Sequence, residues 1–333
     1  MKALMLSGPR DLKLVDAPSA PLQPGQVRMR VRKVGICGSD YSSIAGKLPF
    51  TRFPIIPGHE AMGELLEVCG ESNWKPGDRV AIHPILCDRK DPLFAAGRVH
   101  HSDTTEVLGV VSRNGAYAEE VVLEDYMLRA VPEGMSDEAA AMIEPVDVAV
   151  RALRRGELRK GERVLVLGAG NIGLLVVQAA RALGAGYVAV TDIVPDKLVR
   201  ARDLGVDETL DVREGLQAEK IEKKYDLVID GIGNEASVRD ALTACRRGGR
   251  IVVYGVPSGD ITFALRVAFS KDVSLMTSRL YDASFDEAMQ LIASGAVRTT
   301  DIITHRVGLA DAPELIQRIL DGKEQPIKVM ISA

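Results

Sequence analysis

Four side chains in the first half of the sequence are of the types that bind a catalytic metal ion. Cys37 lies between glycines in "VGICGSDYS", His59 and Glu60 follow in "PIIPGHEAMGE", and Glu144 precedes a proline in "AAAMIEPVDVAV". Thiolate, imidazole and carboxylate are the donors of catalytic zinc, which keeps one coordination position for water or substrate. Their distance in sequence is no objection, because an active site gathers residues from several segments.

Each of these residues also has a purely structural interpretation. Cys37 could be a buried thiol, and His59 could be a histidine in a turn with its hydrogen bonds satisfied. Glu144 could be a carboxylate that complements the dipole at the start of a helix. The residues alone leave a metal site and these structural roles both open.

A glycine-rich turn in the second half predicts a dinucleotide site. In "VLVLGAGNIGLLVVQAARALGA", Gly168, Gly170 and Gly173 follow an apolar strand and open a helix. Bare backbone at these positions allows a sharp turn, close approach of a pyrophosphate, and packing of the helix on the strand. The amino terminus of the helix then offers unpaired N–H groups to the phosphates.

Asp192 ends the next apolar strand in "GYVAVTDIVPDK". A carboxylate there can accept both ribose hydroxyls of NAD and would repel the extra phosphate of NADP. Its structural alternative is a tight turn whose aspartate caps the next helix, and the nearby Lys197 and Arg200 weaken the preference for NAD. The predicted cofactor-binding residues are Gly168, Gly170, Asn171, Ile172, Gly173, Asp192, Lys197, Gly231, Gly255 and Val256.

The pattern of apolar residues divides the chain into two parts that would position these side chains. Up to about residue 145, short alternating runs such as "QVRMRVRKVGI" are separated by Gly and Pro, which predicts a β-rich barrel or sandwich. From about residue 160, apolar runs such as "YDLVID" alternate with helix-like stretches, which predicts a parallel sheet covered on both faces. After about residue 280, two amphipathic helices and the strand "QPIKVMIS" form a tail that could complete the first domain.

Composition argues against several classes of function. The chain has 333 residues, 46% hydrophobic and 26% charged, with a formal net charge of -4 and no basic stripe interleaved with aromatics. We therefore expect no nucleic-acid or membrane partner. No apolar run approaches the ~20 residues that cross a bilayer. The four cysteines are scattered, so we expect a cytoplasmic protein without a disulfide framework.

Four motifs occur along the chain in the order found in one large enzyme family. They are Cys37-Gly-Ser39-Asp40, Gly58-His59-Glu60, Glu144-Pro145 and the glycine turn. This order closely resembles the zinc-dependent medium-chain dehydrogenases, from about residue 24 to the last strand. The resemblance is strongest to the polyol branch, which includes sorbitol dehydrogenase and relatives that act on galactitol phosphate or sugar acids. Simple alcohol dehydrogenases of the superfamily usually have a second cysteine where Glu144 stands.

The resemblance implies an α/β fold with two domains. A GroES-like, β-rich catalytic domain would span residues 1–146 and be completed by residues 280–333. A Rossmann domain with a doubly wound parallel sheet would span residues 147–279 and bind NAD. The family also implies one catalytic zinc per chain and a homodimer or homotetramer.

The resemblance further implies roles for the candidate metal ligands. Cys37 and His59 would bind zinc, while Glu60 and Glu144 would be a ligand and a close partner, in an order that the sequence leaves open. Zinc with one thiolate and two carboxylates carries an excess of one negative charge, which weakens it as a Lewis acid. We therefore expect one carboxylate to contact the metal through water or to swing away when substrate arrives.

Two further residues are assigned near the substrate by the same resemblance. Ser39 matches the hydroxyl that begins the proton path in the family, with a turn-forming serine as the alternative. Arg279, in "LMTSRLYD", matches an arginine near the active site of the polyol branch, or bridges the domains structurally. Tyr41 is a further candidate for contact with substrate.

Two features depart from the family pattern. Ser42 occupies the position of a histidine that relays the proton in many relatives, so the relay must run through water, ribose or another route. Most members also have a lobe with four cysteines that hold a structural zinc. Here Cys87 is retained, but Lys90 and Leu93 occupy the next two positions. We expect no structural zinc and a lobe held by packing alone, although His100 and His101 could in principle join Cys87.

The function that the resemblance implies is a zinc- and NAD-dependent oxidation of a secondary hydroxyl to a ketone. The substrate would be a polyol, a sugar acid or a sugar phosphate, and hydride would pass to NAD+. One alternative is a zinc dehydrogenase of another secondary alcohol, such as threonine or a butanediol. Another is a catalytically inactive NAD-binding sensor, against which the intact Cys37, His59 and Glu144 argue.

Overall fold

The computed structural model describes residues 1–215, 221, 224–257, 259–281 and 284–333. These residues form two units, which are described separately. Unit 1 consists of Met1–Glu144 and Ile303–Ala333, and unit 2 consists of Pro145–Ile302. None of the described helices is both long enough and apolar enough to cross a membrane.

The secondary-structure elements are numbered along the chain. The strands are β1 (Lys2–Leu6), β2 (Leu12–Asp16), β3 (Gln26–Gly35), β4 (Glu60–Cys69), β5 (Arg79–Ile82), β6 (Ile85–Leu86), β7 (Glu106–Val107), β8 (Glu120–Glu124), β9 (Leu128–Ala130), β10 (Arg163–Leu167), β11 (Tyr187–Asp192), β12 (Glu208–Asp211), β13 (Tyr225–Asp230), β14 (Cys245–Val253), β15 (Ser274–Thr277), β16 (Ile303–Gly308) and β17 (Lys328–Ser332). The α-helices are α1 (Gly38–Ile44), α2 (Pro92–Ala95), α3 (Asp137–Ala141), α4 (Ile143–Arg155), α5 (Asn171–Ala182), α6 (Pro195–Asp203), α7 (Glu235–Ala244), α8 (Leu265–Lys271), α9 (Phe285–Ala293) and α10 (Ala312–Leu320).

Unit 1 is built around a seven-stranded sheet in the order β16-β17-β3-β4-β5-β9, with β8 also paired to β3. The alternation predicted for β3 is present, since Val27, Met29 and Val31 are buried while the basic residues between them reach the surface. The buried side chains join a core that draws apolar residues from most strands of this unit. β3 therefore holds the centre of the sheet, and its carboxyl end leads directly to the first predicted metal ligand.

Unit 2 contains a six-stranded sheet in the order β12-β11-β10-β13-β14-β15. All neighbouring strands are parallel, and the order runs outward from β10 in both directions, as in doubly wound nucleotide-binding sheets. The central strand β10 is almost fully buried, because helices cover both faces. The predicted parallel sheet is confirmed.

The chain returns to unit 1 at Ile303, not at residue 280 as the sequence predicted. Hydrogen bonds hold the intervening residues in unit 2. Ser284 donates its hydroxyl proton to Asp147, and the backbone N–H of Arg298 donates to the side-chain oxygen of Gln178 at 2.8 Å. The helix α9 therefore belongs to unit 2, and the completing tail is α10 with β16 and β17.

Candidate metal centre and dinucleotide turn

The side chains of Cys37, His59 and Glu60 come together in unit 1. One donor atom from each lies within 4.8 Å of the other two. One metal ion with bonds of about 2.0–2.3 Å can bridge such a group after small side-chain adjustments. Within the described ranges, this is the one group of three or more potential metal-binding side chains at such a spacing.

The backbone explains why these side chains meet. Cys37 follows β3 and caps the amino terminus of α1, while His59 and Glu60 stand at the start of β4, the antiparallel neighbour of β3. Gly58 makes the turn into β4 with a φ of +98°, which favours glycine. A Cβ at this position would also overlap the ring of Tyr117. The end of β3 and the start of β4 therefore lie side by side at the same end of the sheet.

Asp40 is a buried carboxylate that lies beside the His59 ring. Its Oδ1 lies 3.6 Å from Nδ1 of His59. Its Oδ2 accepts hydrogen bonds from the hydroxyl of Tyr117 at 2.6 Å and from the backbone N–H of Cys37 at 2.9 Å. A carboxylate behind a metal-binding imidazole sets the ring orientation and makes the other nitrogen a better donor. No role was predicted for Asp40 from the sequence, although its position three residues after a helix cap was a usable signal.

Burial and neighbouring charges shift the pKa values of His59 and Asp40. Burial disfavours the imidazolium form of His59, but the charge of Asp40, with Cys37 and Glu144, outweighs it and raises the pKa of His59 well above its usual value. Burial raises the pKa of Asp40, and the charge of Glu60 adds to this rise, while His59 opposes it. The negative charges around His59 make this a pocket that favours a cation.

The residues present fit a zinc ion. Polar atoms of four side chains are buried without a hydrogen-bond partner: Ser39 Oγ, Asp40 Oδ1, His59 Nδ1 and Glu60 Oε1. A buried polar group left unsatisfied costs about 1–3 kcal/mol, so a bound ion with its water or substrate would relieve part of that cost. Thiolate, imidazole and carboxylate are also the donors that catalytic zinc takes.

Glu144 lies outside the three-residue group. It stands in the first turn of α4 and is 6% exposed, and its charge acts on His59. The structure therefore groups Glu60 with Cys37 and His59, which favours Glu60 as the direct ligand and Glu144 as its partner.

Lys328 is a site residue that the sequence analysis missed. It lies on β17, and its buried ammonium group forms an ion pair with Glu60 and donates to the backbone carbonyl of Ile36 at 3.0 Å. The available signal was a lysine within the otherwise apolar closing strand "IKVMIS".

The two predicted substrate residues differ in placement. Tyr41 is partly buried and packs against the core of unit 1. Burial raises the pKa of its hydroxyl, and the charges of Asp40 and Glu60 add to the effect. Arg279 belongs to unit 2, where it is exposed.

The glycine turn of unit 2 has the geometry of a phosphate-binding loop. Gly168 has a φ of +97°, and Gly170 caps the amino terminus of α5 with open space where a Cβ would stand. A Cβ on Gly173 would overlap the carbonyl oxygen of Gly168. Asn171 and Ile172 form the first turn of α5, and the buried Oδ1 of Asn171 has no hydrogen-bond partner.

Asp192 braces this turn. Its Oδ2 accepts from the backbone N–H of Ala169, and its Oδ1 accepts from that of Val194, both at 2.8 Å. Each carboxylate oxygen can accept more than one hydrogen bond, so capacity for ribose hydroxyls is left. The bond to Val194 closes a turn directly before α6, but α6 has no side-chain cap, so the helix-capping role of the structural alternative is not observed. Lys197 is half-buried in the first turn of α6.

The remaining predicted cofactor residues stand at the carboxyl edge of the same sheet. Gly231 follows β13, and a Cβ there would overlap the hydroxyl of Tyr254. A Cβ on Gly255 would lie 2.6 Å from the carbonyl carbon of Ile232. Val256 is 85% exposed. The carboxyl ends of parallel strands are where doubly wound sheets bind nucleotides.

Comparison with known proteins identifies the family. A family model described as "Zinc-binding dehydrogenase" matches residues 171–294, and one described as "Alcohol dehydrogenase GroES-like domain" matches residues 23–133. Sorbitol dehydrogenase of Bacillus subtilis (strain 168) is 31% identical over 344 residues, which cover 99% of this chain and 97% of that protein. The chain belongs to the zinc-dependent medium-chain dehydrogenases.

One further relative supports the branch of the family, and one solved structure has the same fold. Sorbitol dehydrogenase of Homo sapiens is 33% identical over 334 residues, covering 96% of this chain and 93% of that protein. The crystal structure of galactitol-1-phosphate dehydrogenase from Escherichia coli has a TM-score of 0.94 at 24% identity and covers 100% of both chains. The predicted resemblance to the sorbitol dehydrogenase branch and the predicted fold, a GroES-like domain with a Rossmann sheet, are confirmed.

The lobe that contains Cys87, for which the sequence predicts no structural zinc, is held by hydrogen bonds. The thiol of Cys87 lies 3.6 Å from the hydroxyl of Thr104 and 3.7 Å from the carbonyl of Asp88. Ser102 in turn contacts Thr104 at 2.8 Å and donates to Asp91. The expectation that packing alone holds the lobe is therefore wrong, because a polar network links its segments. That the lobe binds no zinc stays a prediction.

Proposed function

We propose that this dehydrogenase oxidises a secondary hydroxyl of a polyol, sugar acid or sugar phosphate to a ketone, with NAD+ as hydride acceptor. The observation that carries the proposal is the group of Cys37, His59 and Glu60, with donor atoms within 4.8 Å of one another. The relatives named sorbitol dehydrogenase, matched over nearly the full chain, support a polyol-like substrate.

Zinc, when bound, would supply Lewis acidity that lowers the pKa of a substrate hydroxyl. Cys37 and His59 would hold the ion, with Glu60 as the third protein ligand. Asp40 would keep the His59 ring in its orientation, because its carboxylate is itself held by Tyr117 and by the backbone of Cys37. This support makes the donor set rigid, and a rigid donor set aligns the substrate carbon for hydride transfer.

Ser39 would carry the substrate proton away. Its hydroxyl is buried and has no hydrogen-bond partner, so its oxygen is available to accept that proton. Ser42 offers no obvious next step, because its hydroxyl donates to the carbonyl of Gly38 within the same helix at 3.1 Å. The proton would therefore leave Ser39 through water or the cofactor ribose.

The cofactor would bind on the glycine turn of unit 2. The N–H groups at the start of α5 would hold the pyrophosphate, and Asp192 would accept the ribose hydroxyls with its remaining lone pairs. A carboxylate at this position disfavours the extra phosphate of NADP, which supports NAD.

A substrate panel tests this proposal directly. Purified protein would be assayed with polyols, aldonates and sugar phosphates, each with NAD+ and with NADP+, by following absorbance of the reduced cofactor. We expect turnover of at least one of these compounds with NAD+. Turnover of threonine or a butanediol alone would favour a zinc dehydrogenase of another secondary alcohol. Cofactor binding without turnover would favour a catalytically inactive NAD-binding sensor.

Replacing Ser39 with alanine should lower kcat by about ten- to hundredfold while leaving zinc content unchanged, because a positioned proton acceptor contributes at least this much. Steady-state kinetics and metal analysis measure the two quantities. Ser42→Ala is the matched control, since its hydroxyl bonds only within its own helix, and its kcat should stay within about twofold. Equal losses in both variants would contradict the role of Ser39.

Two expectations from the family stay predictions for this chain. They are assembly as a homodimer or homotetramer, and residence in the cytoplasm.

A further inference from the structure

Lys328 and Glu60 meet across a strand that lies between them. The sheet order places β17 on one side of β3 and β4 on the other. Gly35, the last residue of β3, is opposite Glu60 in one ladder and opposite Met330 in the other. A Cβ on Gly35 would overlap Oε2 of Glu60 and lie 2.8 Å from Cε of Lys328. The missing side chain at Gly35 is therefore what lets the two charged groups touch.

This ion pair is fully buried. The side chains of Lys328 and Glu60 are 0% and 1% exposed. Taking two charges out of water is costly, and a buried pair is often no more stabilising than an apolar pair of similar size. Stability alone is thus a weak explanation for placing a lysine here. The explanation must come from what Lys328 does to Glu60.

The two oxygens of the Glu60 carboxylate have different surroundings. Lys328 occupies Oε2, whereas Oε1 is buried with no hydrogen-bond partner. Oε1 is therefore the oxygen left to serve as a metal donor beside Cys37 and His59. A second oxygen from the same carboxylate could join only if the lysine released it.

Charge balance points the same way. The thiolate of Cys37 with the carboxylates of Glu60 and Glu144 exceeds the charge of one zinc ion by one negative charge. The ammonium group of Lys328 places one positive charge directly against the carboxylate of Glu60. A cation on a ligand carboxylate draws electron density from it and weakens it as a donor, whereas a carboxylate behind an imidazole strengthens that ligand.

We propose that Lys328 is a positioning residue that restricts Glu60 to a one-oxygen contact with the catalytic zinc, and that Gly35 provides the gap through which it acts. This inference rests on the proposed function, because it requires a zinc ion held by Cys37, His59 and Glu60. The restraint keeps a coordination position open for the substrate hydroxyl and leaves Glu60 a ligand that can be displaced.

The test compares zinc release from wild-type and Lys328→Met holoenzyme to a chromophoric chelator. Without the lysine, the second oxygen of Glu60 is free to bind the metal, so zinc release should slow by about tenfold or more, the size of effect typical of outer contacts to metal ligands. The visible absorption of cobalt-substituted protein should change as well, because the coordination number rises. Unchanged or faster release would overturn the proposal.

Lys271→Met is the matched control for loss of a buried lysine. Its ammonium group donates to the backbone carbonyls of Leu242 at 2.6 Å and of Thr243 and Cys245 at 3.0 Å, all in unit 2. This variant should lose thermal stability while zinc release stays within about twofold of wild type. The comparison separates a general packing defect from an effect on the metal.

A second background keeps the test valid if Lys328→Met alone folds poorly. Lys328→Met combined with Glu60→Gln leaves no unpaired buried charge at this position and avoids that penalty. In the Glu60→Gln background, Lys328→Met should change zinc release by less than about twofold, because the weakly binding amide gains little from a free oxygen. If Lys328→Met slowed zinc release equally in both backgrounds, Lys328 would act by its charge alone, and the proposal that it restricts Glu60 to one oxygen would be overturned.

A different result would overturn the proposed function itself, namely wild-type protein that contains no zinc after purification. This result is distinguishable from zinc-loaded protein whose zinc release does not change in Lys328→Met.

Discussion

Replacing Cys37 with serine should abolish zinc binding and reduce kcat/KM for the alcohol substrate by about a thousandfold or more. Serine has the size of cysteine but offers a neutral hydroxyl, which is a poor ligand for zinc compared with a thiolate. Loss of Lewis-acid activation removes several kcal/mol of transition-state stabilisation, and about 4 kcal/mol corresponds to a thousandfold in rate. Metal analysis and steady-state kinetics on the same preparation measure both effects.

The local structure indicates that this substitution removes the zinc ligand without disturbing the fold. Cys37 caps the amino terminus of α1 with an extended backbone, φ −89° and ψ 158°, and serine is among the preferred residues at such a position. The fold should therefore survive, and thermal unfolding of the metal-free variant should match that of metal-free wild type. Cys69→Ser, at the end of β4, is the matched control and should keep both zinc and activity. A Cys37→Ser enzyme that retained stoichiometric zinc and full activity would contradict the proposed metal centre.

The fold was predictable where local pattern decides it. The alternation in β3 and the continuous apolar runs of unit 2 reflect which faces of a strand are buried, and this depends on neighbouring residues only. The pattern of α9 marks an amphipathic helix but does not say which sheet it covers. That choice depends on contacts such as Ser284 with Asp147, which are 137 residues apart in sequence. The boundary at residue 280 was wrong for this reason.

The candidate site divides in the same way. Cys37, His59 and Glu60 were recognisable because their types and order carry chemistry in a short stretch of sequence. Lys328 was missed because its partner Glu60 is 268 residues away in sequence. No local pattern predicts a contact that passes Gly35 on the intervening strand β3. The excess negative charge around zinc led the sequence analysis to expect movement of one carboxylate, and it gave no indication that a lysine contacts Glu60.

Replacing Asp192 with alanine should lower kcat/KM for NAD by about a hundredfold or more and shift the preference toward NADP. Each hydrogen bond from a ribose hydroxyl to a charged carboxylate contributes about 1.5–3 kcal/mol, and alanine removes these bonds. It also removes the negative charge that repels the extra phosphate of NADP, while Lys197 stays in place in the first turn of α6. The ratio of kcat/KM values for the two cofactors is the quantity to measure.

This ratio matters because Asp192 also holds the glycine turn through the N–H groups of Ala169 and Val194. A distorted turn would weaken NAD and NADP alike and leave the ratio unchanged. Asp230→Ala is the matched control, since Asp230 ends β13 and accepts from the N–H groups of Ile232 and Gly233 in the same manner. It should lower activity with both cofactors in proportion. If Asp192→Ala changed the ratio by less than about twofold, Asp192 would be a brace of the turn alone, and cofactor preference would have to arise elsewhere.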